Sequence, residues 1–395
     1  MRRRELIQTL ALAGVAPMVG GLAQAQTTGT VRQLYPGMSL AALLAASADG
    51  DTIEVMPGTY RAQVGVITQR VLTIRGVGST RPVFQADGVS AEGKGILVVR
   101  QADNVRIENL EFRGARVPDL NGAGIRFERG RLTVGNCAFV DNEMGILTGN
   151  DATSELEVIN SDFGYTGRSP AATSPYPPHQ LYAGRIKRLT MTGCYFHDGY
   201  IGHLLKSRAR ENVILYNQLV DSVDGKASYE MDFPEGGLVW AIGNVIGQSP
   251  LSPNSTMLSY GAETSSATVH GLYLSHNTFV NDRSAGCTFV RVGAARLAAG
   301  LDMRFVNNLL LGTGDVATGS SAWVGTSGNF KTAISVLQAP WSRNYRLVTG
   351  SPLRGKGVVQ GSAGGRSLVP TAEFKLPLGT VALASRTTWS PGAYQ

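Results

Sequence analysis

Between Gly202 and Gly237 the chain reads GHLLKSRARENVILYNQLVDSVDGKASYEMDFPEGG, placing His203, Lys206, Arg208, Tyr229, Glu230, Asp232 and Glu235 on short strand-like segments. These side chains suit proton abstraction beside a carboxylate. Such a proton is hard to remove unless the carboxylate is neutralised, so the site needs a cation or metal there, a base, and an acid for the departing oxygen. Arg208 can supply the cation, Lys206 or a histidine the base, and Tyr229 or His203 the acid. Glu230, Asp232 and Glu235 offer the hard oxygen donors that suit calcium, the one cofactor this stretch suggests. The alternative is structural: a surface ion pair between Lys206 and Asp232 would hold the amine protonated and make it a poorer base.

Positioning these groups requires strands whose side chains alternate in direction. With Leu205 and Ser207 inward, Lys206 and Arg208 point out. Met231 inward sends Glu230 and Asp232 outward, and Leu181 and Ala183 inward leave Tyr182 outward. Tyr182, Lys206, Asp232 and Ser259 then form one outer column. His179, His203, Arg208, Tyr229, Glu235, Tyr260 and Glu263 flank it, with His179, Tyr182, Tyr260 and Glu263 as substrate-binding candidates.

The strands belong to a repeat. A phrase of a small residue or Asn, a spacer and an apolar residue begins at Leu110, Cys137, Ser161, Cys194, Asn217, Asn244, Asn277 and Asn308, at intervals of 27, 24, 33, 23, 27, 33 and 31 residues by subtraction. A solenoid keeps a fixed inward framework per coil while loops of variable length leave one side, and this accounts for the unequal spacing. The four asparagines fit an inward amide ladder at roughly 4.8 Å per coil. Cys137 and Cys194, two coils apart in that column, would be roughly 9 to 10 Å apart, out of disulfide reach. With Cys287 they read as buried free thiols. Composition agrees with a turn-rich all-β chain: 49 glycines, 7% aromatic, 16% charged and 43% hydrophobic residues.

The stretch Ser39 to Tyr60 has a helical segment to Ala46, a turn at Asp49 to Asp51, a strand from Thr52 to Val55 and a turn at Pro57-Gly58. It resembles the opening of right-handed parallel β-helix proteins of the pectate-lyase-like superfamily, where a helix caps the first coil. The segment 344–357, NYRLVTGSPLRGKG, resembles their closing coil. The resemblance implies an all-β, single-stranded right-handed parallel β-helix of roughly ten coils over residues 26–357, with an N-terminal capping helix and a C-terminal cover over 358–395. Lys206-Ser207 looks like the strand carrying the catalytic lysine of chondroitinase- and alginate-lyase-type enzymes, which place an arginine on the following coil where this chain has Tyr229 to Asp232. The run from Tyr229 to Glu235 is distantly similar to the Tyr-x-x-Asp-Pro-His-Asp motif of mannuronan C5-epimerases, with Phe233 inserted and the histidine missing.

Residues 1–25 read as a signal peptide. Arg2 to Arg4 precede an apolar run and Ala23-Gln24-Ala25, and Arg-Arg-x-Leu-Ile resembles a twin-arginine signal. Its removal takes away three arginines and one glutamate, lowering the net charge from +7 to +5. That excess favours anionic partners, and for an exported protein an acidic polysaccharide is more accessible than nucleic acid. The expectation is a periplasmic or secreted monomer with no stable membrane insertion, binding acidic polysaccharide and no nucleic acid. β-Elimination leads the functional readings; C5-epimerisation, non-catalytic polysaccharide binding and glycoside hydrolysis stay open. The Pro- and Ser-rich insertion from Gly164 to Tyr182 reads as a long loop over the same face.

Overall fold

The computed structural model describes residues 29–167, 177–265, 267–297, 301–315 and 327–395. The signal-peptide expectation for residues 1–25 and the centre of the 164–182 insertion lie outside the described residues. Three all-parallel sheets run the length of the molecule: sheet 1 has eleven strands from Val31–Leu34 to Asp302–Val306, sheet 2 eleven from Thr59–Arg61 to Phe330–Thr332, and sheet 3 ten from Gly65–Ile67 to Gly314–Asp315. Each coil visits sheets 1, 2 and 3 in turn, giving a right-handed parallel β-helix.

The framework follows from what each coil turns inward. In sheet 1, Ile107, Val134, Val158, Met191 and Ile214 form one column in register, all buried. In sheet 2, Tyr60, Phe84, Phe112, Phe139, Phe163 and Phe196 stack face to face with centroids 4.4–5.9 Å apart. Near-parallel ring stacking of this kind adds to the stabilisation from the area the rings bury.

At the turn from sheet 1 to sheet 2 the amide ladder is present. Asn217 Nδ2 donates to Asn244 Oδ1 at 2.9 Å, Asn244 to Asn277 at 3.0 Å and Asn277 to Asn308 at 3.0 Å. A fifth rung, Asn329, accepts from Asn308 at 3.0 Å. The residue before each rung is left-handed, a conformation Gly and Asn adopt readily. Tyr216 (φ 54°) and His276 (φ 54°) adopt it too. Both are held by the C-terminal tail: Tyr216 Oη accepts from the Thr371 N–H at 2.9 Å, and His276 Nδ1 lies 3.2 Å from Gln395 Nε2. All three cysteines are buried and free, and burial pushes each thiol up to about 12.

Both ends differ from the expectation. A strand, Val31–Leu34, precedes the helix Leu40–Ala45, whose Leu40 and Leu44 turn into the core above Gly65. The coil expected at 344–357 is not stacked in any of the three sheets. Instead Asn344–Leu347 pairs antiparallel with Leu337–Ala339. Tyr345 and Leu347 there pack with Tyr195, Val220, Val245 and Val280, apolar residues on the outer face of sheet 2. The tail beyond them runs back along the solenoid, with Trp240 Nε1 donating to Ala363 O at 3.0 Å and Gln218 to Tyr394 Oη at 2.8 Å. Apolar residues outside the coils need a cover, and the chain's end supplies it. Among the described residues no helix is long and apolar enough to cross a membrane.

The loop entering sheet 3 at Leu205 is tied at its root by His197, which lies between Asp162 (Nε2 to Oδ1 3.3 Å) and Asp198. Burial works to lower the imidazole pKa, but the two carboxylates outweigh it and hold it at about 9. With an unfolded value near 6.5, this clamp contributes its full stability below about pH 6.5 and loses it as pH rises through 9. Thermal melts should show that decline in the native protein and not in His197→Gln; parallel pH profiles for both would refute the clamp.

Candidate active-site cleft

Sheet 3 builds the expected column. Leu147, Tyr182, Lys206, Asp232, Ser259 and Arg291 occupy successive positions of one outward row. Two residues before their strands, His179, His203 and Tyr229 stack in turn, with centroids 4.6 Å apart at each step. The stack fixes the tautomers. The His203 backbone N–H donates to His179 Nδ1 at 2.9 Å, and the Tyr229 N–H to His203 Nδ1 at 3.3 Å. Each Nδ1 is therefore an acceptor, and the proton sits on Nε2. Burial pushes His179 well below the usual histidine range, and burial with the Lys206 charge takes His203 down to about 3. Both rings are neutral near pH 7.

Asp232, only 5% exposed, lies beneath Lys206 and His203, its Oδ2 3.8 Å from Lys206 Nζ and 3.6 Å from His203 Nε2. Burial raises its carboxyl to about 6, against the pull of the Lys206 charge. Arg208 donates through Nε to Tyr182 Oη at 2.8 Å and through Nη1 to Glu235 (2.6 Å) and Glu263 (2.7 Å). Tyr182 oxygen thus accepts from a guanidinium, leaving its own hydrogen to point elsewhere. These groups open onto a cleft of about 720 Å³ lined by His179, Tyr182, His203, Lys206 and Arg208.

Three expectations are corrected. Tyr260 is not in the cleft: it follows Ser259 on the strand, so it points inward, is fully buried, and donates to Gly237 O at 2.6 Å. Glu230 does not point out with Asp232. It sits in line with Leu204 and Met257 where the chain enters the core, and burial raises its carboxyl well above the usual range. Glu235 is committed to Arg185 (2.7 and 3.0 Å) and Arg208. Glu230, Asp232 and Glu235 therefore do not converge as calcium ligands, and among the described residues no group of three His, Cys, Asp or Glu is placed to hold a metal ion. Glu263 and Tyr229 stay near the column, Glu263 through Arg208 and Tyr229 as the outermost ring of the stack.

Sequence reasoning missed the far end of the cleft, where Arg126, Asp119, Asn121 and Asn150 join the lining. Arg126 was within reach: alternation along Ala123–Phe127 points it outward into the row of Leu147 and Tyr182. Asp119 and Asn121 were not, because their loop is held by a distant residue. Buried Glu143 accepts the N–H groups of Val117 (3.0 Å) and Gly122 (2.8 Å).

No protein-family model matches the sequence. Among solved structures, the crystal structure of pectate lyase Pel9A is similar to this chain with a TM-score of 0.53 and 15% identity, covering 87% of this chain and 96% of that one. Likeness at that identity shows a shared fold, the parallel β-helix.

Proposed function

We propose that the protein is an exported enzyme that cleaves an acidic, uronate-containing polysaccharide by β-elimination in the sheet 3 cleft. The observation that carries this reading is the meeting of Lys206, backed by Asp232, with Arg208 and Tyr182 in one open cleft. Lys206 takes the C5 proton once its ammonium, which the Asp232 carboxylate at 3.8 Å favours, has released a proton to solvent. The C5–H electrons form the C4–C5 double bond, the C4–O4 bond breaks, and O4 leaves with a proton from Tyr182. Arg208 meets the uronate carboxylate, for which its Nη2 makes no other hydrogen bond among the described residues. The neutral His179 and His203 present Nε2–H donors.

The test is a panel of acidic polysaccharides. Ultraviolet absorbance from unsaturated uronate ends is the expected product signal. New reducing ends without that absorbance would overturn elimination in favour of hydrolysis, an altered uronate without cleavage would indicate epimerisation, and retention without turnover would indicate a binding protein.

Asp232 gives this site a pH signature. Below about pH 6 it protonates and no longer holds the Lys206 side chain by its charge. The kcat/KM profile should therefore rise through about pH 6, and Asp232→Asn should be slow and lack that limb. An unchanged limb in Asp232→Asn would remove Asp232 from its positioning role.

A further inference from the structure

Sheet 3 carries a second recess, of about 520 Å³, which continues toward the N-terminal coils and is lined by Lys94, Arg100, Gln101, Glu128 and Arg129. The two recesses meet at Arg126 and Glu128. Arg126 lines the first, Glu128 lines the second, and the side chains lie 3.2 Å apart. Glu128 also accepts from Lys94 Nζ at 2.7 Å, and Glu92 is paired with Arg100. Arg129 is different. It is exposed, its Nη2 donates to the neutral Gln101 at 2.7 Å, and among the described residues no carboxylate lies within ion-pair distance of it. Three cations, Lys94, Arg100 and Arg129, thus line the recess with two carboxylates, Glu92 and Glu128, leaving an excess of one positive charge around a concave surface.

We propose that this recess is a remote binding site for the carboxylate or sulfate-ester groups of a polyanionic polysaccharide whose reacting sugar lies at Lys206. The class of polymer rests on the elimination reading above; the site itself rests on the recess and its charge. Four coil steps separate the strand of Lys206 from Gly95–Val99, about 19 Å at about 4.8 Å per step. A chain filling both recesses must therefore be long. A short oligosaccharide at Lys206 does not reach Arg100 or Arg129. Exposed charges of this kind act through partly screened attraction, so the expected effect is modest and falls with salt.

The experiment uses Lys206→Ala, in which turnover is expected to be at least about a hundredfold slower, with and without Arg100→Ala/Arg129→Ala. Equilibrium binding is measured for polygalacturonate and alginate polymers, for their trisaccharides, and for duplex DNA. The expected result is a roughly fivefold to tenfold loss of polymer affinity at low salt, with trisaccharide affinity unchanged. In the Lys206-containing protein the same pair should raise KM for polymer and leave kcat alone. Unchanged polymer affinity overturns the site, as does duplex DNA binding as tightly as polymer and weakening equally in the variant. A wild-type protein that turns over no polymer, yet binds polymer through Arg100 and Arg129, would sink the elimination chemistry while supporting this site.

Discussion

Lys206→Ala should lower turnover by at least about a hundredfold, the scale of a lost general base, and destabilise the protein by no more than about 1–2 kcal/mol. The side chain is 15% exposed and stands on the outer face, 3.8 Å from Asp232 Oδ2. Its loss would leave a buried carboxylate without its cation. Asp232 limits that cost because its carboxyl already titrates at about 6. At pH 7 it can take up a proton for about 1–2 kcal/mol. Steady-state rates normalised to folded protein, beside thermal melts, check this. If activity merely follows the folded fraction, Lys206 is scaffold. Arg208→Ala should behave differently, losing activity and some stability together, because Arg208 is a 14%-exposed hub joining Tyr182, Glu235 and Glu263 rather than a surface charge.

Asn244→Ala should do the reverse, destabilising by about 3 kcal/mol or more while the folded fraction keeps its rate. Asn244 Oδ1 accepts both the backbone N–H and the side-chain amide of Asn217, each at 2.9 Å, and its Nδ2 donates to Ile214 O at 2.8 Å and Asn277 Oδ1 at 3.0 Å. Alanine leaves several of these groups unpaired in a site with no solvent access, and each such group costs roughly 1–3 kcal/mol. Denaturant unfolding measures the loss. A change below about 0.5 kcal/mol, the size of an ordinary surface substitution, would mean that the ladder is replaceable, by water or by repacking.

The β-helix, the ladder and the outer column were legible in the sequence because they are periodic. An inward framework repeated once per coil leaves Asn217, Asn244, Asn277 and Asn308 in equivalent phrases. Strict strand alternation then sorts Tyr182, Lys206, Asp232 and Ser259 to one face. The same rule places Tyr260 inside; grouping it with the cleft overlooked that it lies one step beyond Ser259. Glu230 was beyond the rule, since it precedes its strand, where the backbone turns and alternation does not yet apply.

What the sequence determined by itself was the set of residues that local period brings into register. Only the tertiary structure decided which partners those residues keep. That Arg208 is tied to Glu263, 55 residues away, that Glu143 pins the loop carrying Asp119, and that the tail returns to cover Trp240 and Tyr216 are contacts between segments with no shared period. Loops of unequal length set them, and neither alternation nor repeat spacing encodes where a loop's end will rest. Such contacts follow from burial and pairing of groups far apart in the chain, so they became visible only once the coils were stacked.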